Sequence, residues 1–308
     1  MTLFSKAIFN DEPAKGWLSW GLLAPILAFF LLALPHAASK TFILEPLDIF
    51  KIINDEPVPD GPLAMFAFLV LPFSIVALTF WNWIRFVEKR SLESVGLIKG
   101  NHFKTFMGGH AVGIVLMLVI IGGITVFGGY DIGSVAPAMS SPLALFYILL
   151  LMAGFMVQSS VEEFIFRGWL LSVLTRKFNL LTAILVSSIL FMLMHFDPSN
   201  PFLDNLMTIL FSFFACAWVI KTGNIWGVMG WHAGWNWITA TGFELPVTGL
   251  VTDTPALLVQ LTPVGSDMLT GGEMGPEGSV VTSVILALAT LWMWRSPKSA
   301  APPGSSEL

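Results

Sequence analysis

The sequence predicts an all-α, polytopic transmembrane helix bundle with about eight spans. Hydrophobic residues make up 55% of the 308 residues and charged residues only 11%, whereas soluble globular chains carry about 25% charged residues. An apolar run of roughly 17–25 residues can cross a bilayer as a helix. The predicted segments are 17–35, 62–84, 105–128, 142–163, 180–196, 204–220, 224–243 and 279–294.

The loops between these segments alternate in basic charge. One alternating set holds 12 basic residues, namely Lys6, Lys15, Arg85, Lys89, Arg90, Lys99, Lys104, Arg176, Lys177, Lys221, Arg295 and Lys298. The other set holds only Lys40 and Lys51. Because loops rich in lysine and arginine stay in the cytoplasm, the alternation supports eight spans with both termini cytoplasmic. We expect an integral protein of a bacterial plasma membrane.

The whole chain, 1–308, is interpreted as a single membrane domain. The first segment is predicted to be a retained helix, because Asp11 and Glu12 precede it and no small-residue cleavage site follows it. We divide the domain into three N-terminal spans (1–139), a core (140–295) and a disordered tail (296–308) rich in proline, serine and glycine. The one cysteine, Cys216, excludes an intrachain disulfide.

Three charged residues interrupt the fourth apolar segment. Glu162, Glu163 and Arg167 lie where an ionised side chain costs about 2.5–3.5 kcal/mol on membrane-insertion scales. Glu163 and Arg167 are four residues apart, so on a helix they share a face and can form an ion pair. Glu162 points about 140° away from Arg167 and is free to serve a site. The alternative is that all three residues form a folding clamp between helices. The helix is expected to continue to Lys177 with a kink or tilt, because it is too long for one straight span.

Two further apolar segments carry polar side chains. His195 ends the fifth segment, one helical turn after Phe191. His232 and Asn236 are four residues apart and share one face of the seventh segment. Alone, each set can be explained by packing and interhelical hydrogen bonds. Beside Glu162, they indicate one buried site.

Other polar features are interpreted as structural. His110 is expected to be a tolerated histidine in the third span, while His36 and His102 are assigned to loops. The loop from Glu244 to Gly278 contains no lysine or arginine and four prolines. An ordinary connecting loop is favoured there over a segment that folds back on the bundle.

A carboxylate, two imidazoles and an amide in a sheltered site suit hydrolysis. Glu162 could take a proton from a water molecule that His195 holds. His232 and Asn236 could then donate hydrogen bonds to the developing oxyanion. A zinc version is equally compatible, because Glu162, His195 and His232 supply three ligands and leave a fourth position open. The stronger zinc motif H-E-x-x-H is absent, so the sequence leaves both the metal-bound and the metal-free version open.

The order and spacing of these residues resemble the three motifs of the CAAX protease and bacteriocin-processing (CPBP, or Abi) family, which includes the type II CAAX prenyl endopeptidases. The matching motifs are Glu162-Glu163-x-x-x-Arg167, Phe191-x-x-x-His195 and His232-x-x-x-Asn236. The resemblance covers roughly residues 140–295. It implies a membrane endopeptidase that cleaves a small peptide or a membrane-associated protein, lipidated or not, in contact with membrane lipid and without nucleic acid.

The resemblance also implies a role for each motif residue. Glu162 would activate water, His195 would help to bind it, and His232 and Asn236 would serve the oxyanion. Glu163 and Arg167 would support them. The family is often described as metalloproteases, although a metal-free glutamate mechanism is also argued. These roles require Glu162 and His195 to lie close together. The predicted segment limits disagree, because they place Glu162 towards the cytoplasmic end of its span and His195 at the external end of the next.

Two other functions compete with proteolysis. A non-catalytic bacteriocin-immunity or scaffold protein of the membrane could retain the same motifs. A carrier that uses the buried glutamates is disfavoured, because the chain shows no convincing internal repeat.

Overall fold

The computed structural model describes residues 8–9, 12–53, 56–196, 198 and 202–295, so the tail predicted at 296–308 lies outside the described residues. The helices are α1 (Leu23–Ser39), α2 (Pro62–Asn82), α3 (His102–Val126), α4 (Pro142–Glu163), α5 (Leu171–Lys177), α6 (Leu180–Met194), α7 (Phe202–Thr222), α8 (Trp226–Gly242), α9 (Asp267–Thr270) and α10 (Val280–Arg295). The strands are β1 (Phe50–Ile53), β2 (Glu56–Pro59), β3 (Tyr130–Val135) and β4 (Val259–Pro263). π-Helical turns occupy Lys40–Leu44, Trp83–Val87 and Phe164–Leu170.

The fold is an all-α membrane helix bundle, as predicted, with two small β ribbons that the sequence analysis missed. Within the described ranges, five helical stretches are long and apolar enough to cross a membrane: Leu23–Leu47, Pro62–Val87, His102–Val126, Pro142–Lys177 and Phe202–Thr222. Helices α6, α8 and α10 are shorter, with 15, 17 and 16 residues. A helix therefore occupies each predicted segment, whereas the count of eight complete spans is not confirmed.

The first helix lies further along the chain than predicted. It begins at Leu23 and continues through Pro35 to Ser39, followed directly by the π turn. The predicted end at Pro35 was wrong because a proline inside a helix removes one backbone donor and need not end the helix. His36 accordingly belongs to α1 and His102 begins α3, so the assignment of both histidines to loops was also wrong.

Most of the described lysine and arginine residues lie in segments at one end of the bundle, which we call the basic end. It includes the loop from Arg85 to Lys104 and the end of α5 at Arg176 and Lys177. A buried ion pair anchors it: Arg90 Nε donates to Glu88 Oε2 at 2.8 Å, and neither side chain is exposed. Trp169 Nε1 donates to Glu88 Oε1 at 2.8 Å, and Ser172 Oγ accepts from the Arg90 guanidinium at 3.2 Å. Burial raises the pKa of Glu88, while Arg90 and the indole N–H groups oppose that shift. These contacts fix the loop after α2 against α5.

The opposite end is covered by the segment Glu244–Gly278, which folds back over the bundle. Its strand β4 pairs antiparallel with β3. Its buried Glu277 accepts hydrogen bonds from Trp235 Nε1 at 2.6 Å and from the Thr248 backbone N–H at 2.8 Å. The interpretation as an ordinary connecting loop was therefore wrong. The many prolines suggested irregular backbone, but the glutamate that attaches the segment to α8 could not be recognised from sequence alone.

A long helix and a short one bring Glu162 and His195 to the same depth. Helix α4, the turn Phe164–Leu170 and α5 form one continuous helical stretch of 36 residues, which is about 54 Å long at 1.5 Å per residue. Glu162 lies near its middle. Helix α6 returns from the basic end for only 15 residues, or about 22 Å, so His195 follows at the level of Glu162. The predicted separation of these two residues across the membrane was therefore wrong.

Helices α3 and α8 are in backbone contact. A Cβ atom added at Gly109 or Gly113 of α3 would overlap a backbone carbonyl of α8, and one added at Gly230 or Gly234 would overlap a backbone carbonyl of α3. Small residues permit this close approach between membrane helices. The contact fixes the rotation of α8 and hence the direction in which its polar face points.

This packing makes a stability prediction. Gly113→Ala is expected to lower the free energy of unfolding by about 1–3 kcal/mol, because the new methyl group must push the two backbones apart. Gly122→Ala in the same helix is the matched control, since nothing lies within 4 Å of its added Cβ. The control should leave stability unchanged or raise it by up to about 1 kcal/mol. Denaturant unfolding in mixed micelles measures both; an equal effect of the two variants would contradict the close packing.

Candidate active site

Glu163, Arg167 and His232 form a buried ionic cluster between α4 and α8. Arg167 Nη1 donates to Glu163 Oε1 at 3.1 Å, which confirms the ion pair predicted from their spacing. His232 Nδ1 lies 2.9 Å from the same oxygen. Because a carboxylate only accepts hydrogen bonds, Nδ1 carries a proton and donates it. The cluster therefore fixes the ring of His232 and leaves its Nε2 facing away from Glu163.

Glu162, which precedes Glu163 in α4, also faces His232. Its Oε1 accepts a hydrogen bond of 2.6 Å from Gln158 Nε2. Its Oε2 has no hydrogen-bond partner among the described residues, although it is buried. That atom lies 4.0 Å from His232 Nε2, too far for a direct hydrogen bond but suitable for a bridging water. Glu162 is thus held by one oxygen and available through the other.

Asn236 connects to Glu162 through Gln158. Its Nδ2 donates to Gln158 Oε1 at 3.2 Å and to Ser159 Oγ at 3.4 Å. The sequence analysis did not assign Gln158 to the site. Its position four residues before Glu162, on the same helix face, was the available signal. The two helices therefore share a polar chain that runs from Asn236 through Gln158 to the carboxylate.

His195 lies between two cavities that meet the other site residues. It shares a cavity of about 430 Å³ with Glu162, and a small one of about 30 Å³ with His232. Its Nδ1 lies 2.8 Å from the carbonyl oxygen of Phe191. Since that carbonyl can only accept, Nδ1–H donates and Nε2 is left as an acceptor in the neutral ring. The structure thus gathers all three predicted clusters in one region.

Phe191 links the first two motifs. The guanidinium carbon of Arg167 lies 4.2 Å from the centroid of the Phe191 ring, and that ring lies 4.5 Å from the ring of His195. A cation above an aromatic face is electrostatically favourable, particularly away from water. Phe191 therefore supports the burial of Arg167 while it positions His195.

The helical backbone widens where these residues meet. The π turn Phe164–Leu170 begins immediately after Glu163, and every residue from 161 to 175 is buried. π-Helical turns of this kind are rare and often lie at functional sites. Gly168 permits the turn to pack close to the basic end, because a Cβ there would come within 2.8 Å of the Val95 carbonyl oxygen. Glu163 and Arg167, which are not exposed at all, are therefore enclosed by protein, whereas Glu162 borders the large cavity.

Glu277 is a further carboxylate that the sequence analysis did not identify. It lines the small cavity together with His195 and His232. Both of its oxygens are engaged by donors from Trp235 and Thr248. This arrangement suits a residue that holds the covering segment in place.

The residues present do not assemble the predicted zinc site. In the part of the chain that the structure describes, no group of three histidine, cysteine, aspartate or glutamate side chains is arranged to hold a metal ion. Glu162 Oε2 and His232 Nε2 lie 4.0 Å apart, but these two side chains and His195 do not converge on one point as ligands of a single ion would. We therefore derive no catalytic step through a metal.

A comparison with known protein families matches the part of the chain that carries these residues. Residues 140–238 match the family described as type II CAAX prenyl endopeptidase Rce1-like, and this range contains all seven named motif residues. A search of curated proteins found no match. With its long apolar helices, the chain is an integral membrane protein whose core resembles membrane proteases. The match supports the family predicted from the three motifs: residues 140–238 of the chain are similar to the CAAX protease family.

Proposed function

We propose that this protein is an intramembrane endopeptidase that uses Glu162 to activate water. The observation that carries the proposal is the distance of 4.0 Å between Glu162 Oε2 and His232 Nε2, which one water molecule beside both atoms could bridge. A carboxylate oxygen that has no hydrogen-bond partner in the described part of the chain faces an imidazole nitrogen there, beside a cavity that also reaches His195. A water molecule at this position has Glu162 as a base and His232 as a polar neighbour.

In the proposed reaction, Glu162 Oε2 removes a proton from water while the hydroxide oxygen attacks the peptide carbonyl carbon. The unprotonated Nε2 of His195 accepts a hydrogen bond from the water and orients it. When the tetrahedral intermediate collapses, the C–N bond breaks, and the proton held by Glu162 passes to the leaving amine. Gln158 keeps the carboxylate in the required orientation throughout.

His232 stabilises the oxyanion if its ring carries a proton on both nitrogens. Nδ1–H is committed to Glu163, so Nε2 can donate only in the imidazolium form. Glu163 thereby acts as a positioning residue for His232.

Asn236 acts in the same reaction through Gln158, which is hydrogen-bonded to Glu162, whereas the sequence suggested a direct contact with the oxyanion. Its two N–H groups are engaged by Gln158 and Ser159. Donation to the oxyanion, the predicted role, therefore requires the longer contact with Ser159 to open. In the resting arrangement, Asn236 instead orients Gln158 and, through it, the base.

We further propose that the substrate is a small peptide or a membrane-associated protein that enters from the membrane. The wall of the large cavity is mainly apolar and is formed by α1, α2, the π turn Phe164–Leu170 and α6. An apolar or lipidated substrate segment suits such a wall. We place the protein in a bacterial plasma membrane, and the distribution of basic residues supports an orientation with both termini in the cytoplasm.

The proposal predicts the effect of removing the base. Glu162→Gln keeps the size of the side chain and its hydrogen bond with Gln158, but it cannot accept a proton. We expect kcat for peptide cleavage by purified protein in nanodiscs to fall by about 10²–10⁴-fold. Glu273→Gln is the matched control, since Glu273 is exposed on the covering segment, and it should retain full activity. Wild-type cleavage by Glu162→Gln at normal abundance would instead favour a non-catalytic immunity or scaffold role.

The metal-free form of the proposal has its own test. Purified active protein should contain far less than one equivalent of zinc by elemental analysis, and dialysis against a chelator should leave kcat unchanged. Stoichiometric zinc, lost together with activity and restored with it, would contradict the metal-free mechanism. That outcome would require Glu162, His195 and His232 to converge on one ion, which they do not do in the described arrangement.

A further inference from the structure

The large cavity beside Glu162 has a basic residue in its lining at some distance from the catalytic carboxylate. Glu162 and His195 belong to this lining, and so do His36 and Lys40 from the end of α1 and its π turn. Between them the wall is apolar, with residues such as Leu32 and Phe166. A lysine in such surroundings is unusual, because an apolar environment disfavours an ammonium group that lacks a partner.

Lys40 forms no ion pair with any residue that the structure describes. Its Nζ lies 5.9 Å from the centroid of the Phe50 ring, a contact that compensates weakly for a missing anion. Lys51, near the same end of the bundle, contrasts with it. Lys51 Nζ lies 2.7 Å from Asp253 Oδ2 and 3.4 Å from Asp60 Oδ1. Of these two lysines, Lys40 is therefore the one available to an anionic ligand.

Lys40 lies at a distance from Glu162 that a short peptide can bridge. Both residues line one cavity of about 430 Å³, and His36, one turn before Lys40, lines it as well. An extended peptide covers about 3.3–3.6 Å per residue, so a peptide of a few residues within this cavity can contact both groups.

We infer that Lys40 binds the C-terminal carboxylate of the peptide substrate in this cavity. The carboxylate supplies the missing counter-ion, and the apolar wall receives the side chains between it and the scissile bond. This inference rests on the proposed function, because it treats the cavity beside Glu162 as the substrate site. It makes Lys40 a specificity-determining residue that recognises a free chain end.

The inference is tested by peptide binding to the Glu162→Gln protein in nanodiscs, where no cleavage interferes. The probe is a fluorescent peptide with four apolar C-terminal residues, made once as the free acid and once as the C-terminal amide. The acid is expected to bind about 10- to 100-fold more tightly than the amide, the range typical of a hydrogen bond to a charged group. Equal binding of the two peptides, or binding of neither, would overturn the inference.

Substitutions then assign the preference to Lys40. Lys40→Met should abolish the preference for the acid while amide binding is kept, and Lys40→Arg should retain most of it. Lys51→Met is the matched control and should leave the preference unchanged. A preference that survives in Lys40→Met would overturn the assignment.

Two further arms separate this inference from its alternatives. Lysine side chains near helix ends also reach lipid headgroups, so the binding is repeated in phosphatidylcholine and in phosphatidylglycerol nanodiscs. Loss of phosphatidylglycerol binding in Lys40→Met, without any change in peptide preference, would assign Lys40 to lipid and overturn the inference. Wild-type protein that binds the acid through Lys40 but never cleaves it would refute the proposed function and leave the carboxylate site standing.

Discussion

The site depends on one carboxylate oxygen, which accepts hydrogen bonds from side chains of two different helical stretches. Glu163 Oε1 accepts from Arg167 within its own helix and from His232 on α8. Neither Glu163 nor Arg167 is exposed. Removing one partner of such a buried group typically costs about 3–5 kcal/mol, because it leaves an uncompensated charge. The interaction therefore both ties α4 to α8 and aims His232 at Glu162, so that stability and chemistry share the same atoms.

The backbone supplies what this interaction requires. Close glycine contacts between α3 and α8 set the rotation of the helix that carries His232 and Asn236. A short α6 ends at the level of Glu162, and Phe191 at its end packs on Arg167. Glu277 then holds the covering segment over the small cavity. Each element meets the charged cluster at the same depth, although they come from distant parts of the chain.

Sequence alone predicted the helical fold class, the family and the ion pair of Glu163 with Arg167. These follow from composition, motif order and helical spacing, which are local properties. The depth of His195 was not predictable in this way, because hydropathy marks where an apolar run ends but not how deep its helix stops. Gln158 and Glu277 were missed for a related reason. Their partners, Asn236 and Trp235, lie on α8, and no periodicity in one helix reveals a contact with another.

The geometry distinguishes the individual site residues from one another. The structure gives Glu162 one engaged and one available oxygen, and it commits one nitrogen of each histidine. It also shows that His232 and Asn236 are not equivalent donors, since one is supported by a carboxylate and the other by Gln158. The spacing of four residues that both share in sequence contains no hint of this difference.

A double-mutant cycle between Glu163 and His232 tests the shared carboxylate most directly. The free energy of unfolding in mixed micelles is measured for Glu163→Gln, His232→Gln and the double variant. If one hydrogen bond joins these side chains, the double variant should be more stable than the sum of the single losses predicts, by about 0.5–3 kcal/mol. Losses that add within about 0.3–0.5 kcal/mol would contradict the account, because they would show that the two residues stabilise the protein independently.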